Sequence, residues 1–216
     1  MICRGGFHPV ESDAVPVRGQ TAIMVGNRGS EFWRAFSQID APAFSNPLEK
    51  WTESVLSDAA LELDCAVLFP FMGPPYHPFL AWAQRADNVF PSPIGPLIHP
   101  EFGLWHAYRG MLVFDDLIKL PPRGTETSPC DGCAEKYCLT ACPVDAVGSN
   151  GDVSEIFDMP ACLDYLSREE GRDCLGRGCL ARRACPVGAD YLYEPEQAKF
   201  HMAAFYAAHG HGSTKE

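Results

Sequence analysis

Eight of the ten cysteines in this 216-residue chain lie within residues 130–185, and only Cys3 and Cys65 lie outside. They form two runs, Cys130-x2-Cys133-x4-Cys138-x3-Cys142-Pro143 and Cys162-x11-Cys174-x4-Cys179-x5-Cys185-Pro186. Residues 1–10 lack the apolar stretch of a secretory signal peptide, so a secreted disulfide scaffold is a poor explanation. Clustered cysteines without secretion indicate metal ligands.

The endings of the two runs indicate which metal group they hold. Each run ends in Cys-Pro, as does the bacterial ferredoxin run C-x2-C-x2-C-x3-C-P, whose fourth cysteine ligates the other of two clusters. We therefore predict two 4Fe–4S clusters with crossed ligation. Cluster one takes Cys130, Cys133, Cys138 and Cys185, and cluster two takes Cys142, Cys162, Cys174 and Cys179.

The spacing departs from the ferredoxin run in two respects. Each run has a four-residue spacer where two residues are usual, which needs a wider loop, and Cys162 lies far from its partners, which needs a separate element. The alternative is a pair of zinc sites with four cysteine ligands each. The Cys-Pro endings favour the clusters, because zinc sites show no preference for them.

Residues 130–186 resemble the double-cluster domain of epoxyqueuosine reductases and reductive dehalogenases. Cys142-Pro-Val-Asp-Ala-Val147 resembles their C-P-x-x-A-I turn, and Cys162-Leu-Asp-Tyr-Leu166 resembles their isolated C-I-S-Y-L segment. The resemblance implies a ferredoxin-like domain in which the isolated segment supplies the distant ligand. The later pair is C-x2-C in that family and is longer here.

Upstream of the cysteines, strand-like apolar segments alternate with helical periodicity. Strands are predicted at residues 21–25, 65–71 and 104–114, and helices at residues 31–38, 47–63, 79–86 and 195–209. Residues 88–103 are rich in proline and glycine and predict a long surface loop. Residues 121–129 lack periodicity, so the predicted domains are residues 1–124 and 125–216, in an α+β class.

The helix at residues 47–63 has the strongest signal of these. Asn46 is a good N-cap residue, and Pro47 suits the first turn. The predicted buried face consists of Leu48, Trp51, Val55, Ala59 and Leu63, which follow one another at helical spacing.

A second resemblance concerns the first domain. Ile98-His-Pro-Glu-Phe-Gly-Leu-Trp-His-Ala-Tyr-Arg-Gly110, followed by Leu120-Pro-Pro-Arg123, is similar to the signature of CblC-type cobalamin-processing proteins, I-H-P-x-F-G-G-W-F-A-x-R-G and then L-P-P-R. The resemblance implies a nitroreductase-like fold that binds cobalamin. Leu104 stands where the signature has its second glycine, and its side chain would narrow the space through which a flat ligand approaches. Epoxyqueuosine reductases and reductive dehalogenases pair their double-cluster domain with a related cobalamin domain, so both resemblances imply the same cofactor.

This second resemblance also implies which residues contact cobalamin. They are His99, Phe102, Gly103, Trp105, Tyr108 and Arg109. His99 would line the corrin, although a packing histidine is the alternative. Trp105 and Tyr108 are expected on opposite faces of a strand, one in the core and one against the cofactor. Arg109 would clamp a phosphate or a corrin amide, or would form an ion pair.

The predicted protein is a cytoplasmic iron–sulfur oxidoreductase that passes electrons from an external donor through its clusters to cobalt. It would reduce cobalamin or remove its upper ligand. Two alternatives stay open: an electron carrier without cobalamin, and a cobalamin-dependent reductase of a tRNA base or an organohalide. The net charge of −11 argues against a nucleic-acid partner. No apolar stretch approaches the roughly 20 residues of a membrane span.

Overall fold

The computed structural model describes residues 1–39, 46–148 and 157–210. These residues divide into two compact units. Unit 1 comprises Met1–Val89 and His106–Glu126, and unit 2 comprises the described parts of Phe90–Trp105 and Thr127–Glu216. Unit 1 is therefore interrupted in the chain by a 90–105 segment that belongs to unit 2. The class is mixed α+β.

The strands and helices are numbered in chain order. The strands are β1 Ile2–Phe7, β2 Thr21–Arg28, β3 Ala66–Leu68, β4 Phe90–Pro91, β5 Leu97–Ile98 and β6 His106–Phe114. The helices are α1 Glu31–Phe36, α2 Pro47–Glu62, α3 Phe79–Ala86, α4 Tyr137–Thr140, α5 Met159–Leu166, α6 Arg172–Arg177, α7 Leu180–Arg183 and α8 Pro195–His209.

Unit 1 is built on an antiparallel sheet with the strand order β1-β2-β6-β3. Strands β2 and β6 pair along their whole length, with a register shift between Val25 and Gly26. A Cβ on Gly26 would lie 2.3 Å from the carbonyl oxygen of Ala107. The bulge therefore requires glycine at this position, because any side chain would collide with the paired strand.

Helix α2 buries a different face from the predicted one. Its buried residues are Leu48, Thr52, Leu56 and Ala60. The prediction was wrong for Val55 and Leu63, which are exposed. Thr52 can lie on the buried face because its hydroxyl donates a hydrogen bond to the Leu48 carbonyl at 2.7 Å. The hydroxyl is therefore not left unpaired.

The predictions for the other elements vary in accuracy. Helices α3 and α8 are confirmed at both ends, whereas β3 is shorter than predicted and β6 begins at His106, two residues later than predicted. The sequence did not predict β1, because its two glycines weaken the strand signal.

Residues 88–103 are not a surface loop, so that prediction was wrong. The segment contains β4 and β5, which pair with each other. Ile94 and Ile98 are buried in a core with Leu104, Val147 and Ala181. The proline and glycine content of this segment indicated a loop, but its apolar side chains pack against the cysteine loops of unit 2.

Unit 2 otherwise consists of short helices around this core. Five of the predicted ligand cysteines pack against it, namely Cys130, Cys138, Cys142, Cys179 and Cys185. A second cluster of buried residues joins Trp105, Tyr193 and Ala198. Among the described residues, no helix is long and apolar enough to cross a membrane.

Candidate metal centre

The four cysteines predicted for cluster one lie around a single cavity in unit 2. The cavity contains about 330 Å³ of space, part of which is open to solvent. Its lining includes Cys130, Cys133, Cys138 and Cys185, with Lys136, Tyr137 and the apolar residues Pro93, Ile98, Pro129 and Val187. The fold therefore brings Cys185 to three cysteines that precede it by about 50 residues in the chain.

Local turns position the first three of these cysteines. The Cys130 N–H donates to the Ser128 hydroxyl at 3.3 Å, and the Cys133 N–H donates to the Cys130 carbonyl at 3.4 Å. Lys136 adopts a left-handed conformation with φ 42°, which turns the chain into α4, where Cys138 lies. The longer spacer of the first run contains this turn.

Cys185 is held from the other side of the core. Its N–H donates to the Arg182 carbonyl at 3.3 Å, so it follows directly from α7. Gly188, three residues later, has φ +75°, and a Cβ there would lie 2.3 Å from the Phe102 carbonyl oxygen. The turn that carries Cys185 is thus packed against the Phe102–Gly103 backbone of the same unit.

Burial and the charges of neighbouring cysteines raise the pKa of thiols in this first group. Burial raises the pKa of Cys130, and the neighbouring Cys185 raises it further, whereas the Ser128 hydrogen bond and the Lys136 charge lower it. Burial also raises the pKa of Cys138, followed by the effects of Cys185, Cys130 and Cys133. Four thiolates at this spacing repel one another, so a cationic group between them would stabilise their ionised form.

The cysteines predicted for cluster two form a second neighbourhood in unit 2. Burial raises the pKa of Cys162 to about 12, and Cys179, Cys142 and Cys174 contribute to the rise. Burial raises the pKa of Cys174 as well, the Leu180 N–H lowers it by hydrogen bonding, and Cys179 raises it. The isolated Cys162 is therefore within electrostatic reach of Cys142, Cys174 and Cys179.

Two short helices deliver the distant ligands of this second group. Cys162 lies in α5, whose first turn is capped by Asp158, which accepts the Ala161 N–H at 2.9 Å. Cys174 lies in α6, and Gly178, with φ +90°, turns the chain towards Cys179. The separate element that the sequence requires for Cys162 is therefore α5.

The two cysteine groups are neighbourhoods rather than closed ligand shells. Across residues 1–39, 46–148 and 157–210, no group of three or more His, Cys, Asp or Glu side chains forms a site that could hold a metal ion. Cys3 is exposed in β1, and Cys65 is half-buried beside the core of unit 1, so neither belongs to these groups.

Four of the six predicted cobalamin contacts belong to unit 2. The Nδ1 atom of His99 accepts the backbone N–H groups of Glu101 at 3.0 Å and Phe102 at 3.2 Å, and its ring stacks on Phe102 with centroids 4.1 Å apart. This nitrogen is therefore occupied in organising a turn, and the imidazole is in a form that can accept there. Gly103 closes the same turn by pairing with His99.

Trp105 is the fourth of these residues, and it is 2% exposed. It precedes β6 and does not share a strand with Tyr108, so the expectation of opposite strand faces was wrong. Its ring meets Tyr193 edge-on at 5.4 Å, and the Arg182 guanidinium lies 4.6 Å from both ring centroids. Arg182 also donates from Nε to the Leu104 carbonyl at 3.1 Å.

The other two predicted contacts, Tyr108 and Arg109, lie on β6 in unit 1. The Tyr108 hydroxyl donates to Asp87 at 2.8 Å, and Asp87 pairs with Arg4, also at 2.8 Å. Arg109 donates from Nε to the side-chain oxygen of Asn27 at 3.1 Å. The predicted set is thus divided between the two units, and these hydrogen bonds of Tyr108 and Arg109 lie within unit 1.

Sequence reasoning missed the polar residues that support the cysteines. Lys136, beyond lining the cavity, donates from Nζ to the Cys130 carbonyl at 2.9 Å. Arg183 donates to the Gly178 carbonyl at 3.1 Å and pairs with Asp173 beside Cys174. The sequence does indicate these two residues, because Lys136 and Arg183 lie in the spacers between ligand cysteines. A charged residue in such a short spacer lies close to a ligand in any fold.

No protein-family model matches this chain, and no curated protein matches it.

Among solved structures, the chain is similar to that of epoxyqueuosine reductase from Streptococcus thermophilus, with 16% identity and a TM-score of 0.48. The match covers 83% of this chain and 53% of that one, so this chain spans about half the length of the solved protein.

Proposed function

We propose that this protein is an iron–sulfur electron-transfer protein with two 4Fe–4S clusters in unit 2. The proposed ligands of cluster one are Cys130, Cys133, Cys138 and Cys185, and those of cluster two are Cys142, Cys162, Cys174 and Cys179. The observation that carries the proposal is the exchange of the terminal cysteines. Cys185 lines the cavity of the first run, and the charge of Cys142 acts on Cys162 of the second, in keeping with the Cys-Pro pattern of two-cluster proteins.

The residue types around both groups suit a cluster, although the thiols of the described residues do not form closed ligand shells. Cysteine thiolates are the usual ligands of 4Fe–4S clusters, and apolar side chains pack around the first group. Backbone N–H groups also face the sulfurs. Ala146 donates to the Cys142 sulfur at 3.3 Å, and the Val187 N–H lowers the pKa of Cys185 by hydrogen bonding, against the larger effect of burial. Such bonds favour the thiolate over the thiol.

When bound, 4Fe–4S clusters accept and release single electrons at potentials set by hydrogen bonds, charge and solvent exposure. The chain's own contribution is to deliver eight thiolates, to donate N–H hydrogen bonds to their sulfurs, and to pack the Ile94, Ile98 and Val187 side chains beside them. Zinc, the alternative metal, would use the same thiolates but would carry no electrons.

The proposed acceptor is cobalamin, and this part rests on the resemblance of residues 98–110 to the CblC-type signature. The contacts of the six residues count against a ready-made corrin slot in either unit. His99 binds its own turn, Trp105 is covered by Tyr193 and Arg182, and Tyr108 is bonded to Asp87. Cobalamin binding is therefore a prediction that rests on the sequence resemblance alone. The electron carrier without cobalamin stays the alternative.

Iron and acid-labile sulfide analysis of anaerobically prepared protein tests the iron–sulfur proposal. Two cubanes require about eight iron and eight sulfide per chain. The same sample should bleach at visible wavelengths on reduction with dithionite, because reduced clusters absorb less. Stoichiometric zinc without sulfide would contradict the proposal.

A further inference from the structure

A fully buried amide lies in the first turn of α8 in unit 2. This amide belongs to Gln197, which is 0% exposed. Among the described residues, neither its Nε2 nor its Oε1 atom has a hydrogen-bond partner. An amide buried without a hydrogen bond destabilises a protein, so a side chain in this position calls for a polar partner.

The place of Gln197 in its helix would suit a capping role, but its contacts exclude that role. Gln197 is the third residue of α8, and a glutamine at this position often accepts the backbone N–H of the N-cap residue, which is Glu194 here. The Oε1 atom of Gln197 accepts no such bond. Helix capping therefore does not explain this residue.

Helix α8 brings Gln197 to the helix that carries Cys174. It packs against α6, which contains Cys174, and less extensively against α5, which contains Cys162. The buried residue of α6 is Cys174, and the buried residues of α8 are Gln197 and Ala198. Because packed helices bury the faces that they turn towards each other, Cys174 and Gln197 belong to one interface.

The loop between two proposed ligands of cluster two meets α8 at the same place. Gly178 lies in this loop, between Cys174 and Cys179, and its N–H donates to the Cys174 carbonyl at 2.9 Å. A Cβ on Gly178 would lie 3.4 Å from the Cβ of Ala198, the residue that follows Gln197. The cavity of the first cysteine group has no residue of α8 in its lining. Gln197 therefore belongs with the second group.

We propose that the Gln197 side-chain amide donates an N–H hydrogen bond to a sulfur atom of cluster two and thereby raises the reduction potential of that cluster. This inference rests on the proposed function. Hydrogen bonds to the sulfurs are among the factors that set the potential of a 4Fe–4S cluster. Reduction adds one negative charge, so a donor stabilises the reduced form more than the oxidised form, and burial strengthens this effect.

Pulsed electron paramagnetic resonance of the reduced full chain tests the contact directly. The chain has four glutamines, and Gln197 is the only one after residue 84. Protein labelled with ¹⁵N only in its glutamine side-chain amides should show a ¹⁵N coupling to the electron spin of a reduced cluster. Gln197→Met, which keeps the length of the side chain but has no donor, should lose this coupling.

A cysteine substitution assigns the coupling to one of the two clusters. Cys185→Ser should damage cluster one and leave cluster two, so the ¹⁵N coupling should persist in the labelled Cys185→Ser protein. The labelled wild-type protein and this variant give an answer even if Gln197→Met does not assemble its cluster.

A redox titration measures the effect of the hydrogen bond. In Gln197→Met the ratio of reduced to oxidised cluster two at a fixed potential should fall about tenfold, which is ~59 mV for one electron. The midpoint of cluster one should stay unchanged. Gln38→Met, at an exposed glutamine of unit 1, is the matched control and should change neither midpoint.

Four results would overturn the inference: no ¹⁵N coupling in the wild-type protein with both clusters present, loss of the coupling in Cys185→Ser, a coupling that survives in Gln197→Met, or a midpoint shift in Gln197→Met no larger than in Gln38→Met. These results differ from a failure of the proposed function itself. In that case the wild-type protein would contain no iron and sulfide, and there would be no paramagnetic signal to analyse.

Discussion

Gly103 and Val187 approach each other so closely that a Cβ on Gly103 would lie 1.9 Å from the Val187 carbonyl oxygen. Gly103 also has φ +56°, in the left-handed region that residues with a Cβ rarely adopt. Val187 lies two residues after Cys185. The resemblance to CblC-type proteins implies that Gly103 contacts a cofactor. In the structure, Gly103 is instead required where two backbones meet beside the proposed cluster ligand Cys185.

Replacing this glycine should damage unit 2. We expect Gly103→Ala to lower the free energy of unfolding by about 2 kcal/mol or more, because the two backbones must move apart and the alanine is strained. Urea denaturation under anaerobic conditions measures the loss, and the iron content should fall with it, since the displaced turn carries Cys185.

Gly176→Ala is the matched control for this substitution. A Cβ on Gly176 would meet no atom within 4 Å, and Gly176 lies inside α6. Alanine is favoured over glycine in a helix by about 1 kcal/mol, so this variant should be neutral or slightly more stable. Equal effects of the two substitutions would show that the contact between Gly103 and Val187 is unimportant.

Double substitutions test the crossed ligation more sharply than single ones. If Cys130 and Cys185 hold the same cluster, the double variant Cys130→Ser/Cys185→Ser should lose about as much iron as either single variant, roughly half of the total. Cys174→Ser/Cys185→Ser should lose both clusters. Iron analysis and paramagnetic resonance of the reduced proteins provide the measurement, with Cys3→Ser and Cys65→Ser as controls that keep full iron. Loss of all the iron in the first double variant, with half retained in the second, would mean that each run closes on itself.

Tyr108 should stabilise unit 1 through Asp87. Tyr108→Phe removes a hydrogen bond to a carboxylate that is otherwise paired with Arg4, so we expect a loss of about 1.5–3 kcal/mol at neutral pH. Tyr76→Phe, at a 66% exposed tyrosine of the same unit, should have no effect. A loss no larger than that of the control would mean that the bond contributes nothing.

The same bond has a pH dependence of known sign. Burial raises the pKa of Tyr108 far above its ordinary value of 10.0; the Arg4 charge opposes this, and Asp87 adds to the rise. Above pH 10 the unfolded chain therefore releases this proton while the folded chain keeps it, so stability falls as the pH rises. The difference in stability between the wild-type protein and Tyr108→Phe should shrink between pH 9 and pH 11. A constant difference would contradict the raised pKa.

Cobalamin binding is tested by titrating the iron-loaded protein with hydroxocobalamin and following its visible spectrum. Binding should shift the spectrum, and Arg109→Gln and His99→Ala should weaken it, whereas Arg34→Gln at an exposed helix position should not. His99→Ala also removes the acceptor for two backbone amides, so its unfolding curve must be compared with that of the wild-type protein. Oxidation of reduced clusters as Co(III) becomes Co(II) would identify the acceptor. An unchanged spectrum at micromolar protein with intact clusters would favour the plain electron carrier.

The secondary structure was predictable where local signals agree with the packing. Helices α3 and α8 begin and end as their periodicity indicates, because proline precedes or starts each of them and apolar residues recur along them. Helix α2 was predictable as a helix but not in its buried face, since the choice between Val55 and Leu56 depends on which residues of β6 and β2 it meets.

The cysteine pattern by itself determined the candidate ligands and their division into two sets, because the spacing of ligands and the Cys-Pro endings are local consequences of how a loop presents thiolates. Only the tertiary structure decided the rest. It placed residues 90–105 in unit 2, separated Trp105 from Tyr108, and brought the Phe102–Gly103 backbone against Val187 and Gly188. Contacts of this kind join residues more than 80 positions apart, and no periodicity in the chain records them, since they depend on how whole elements pack.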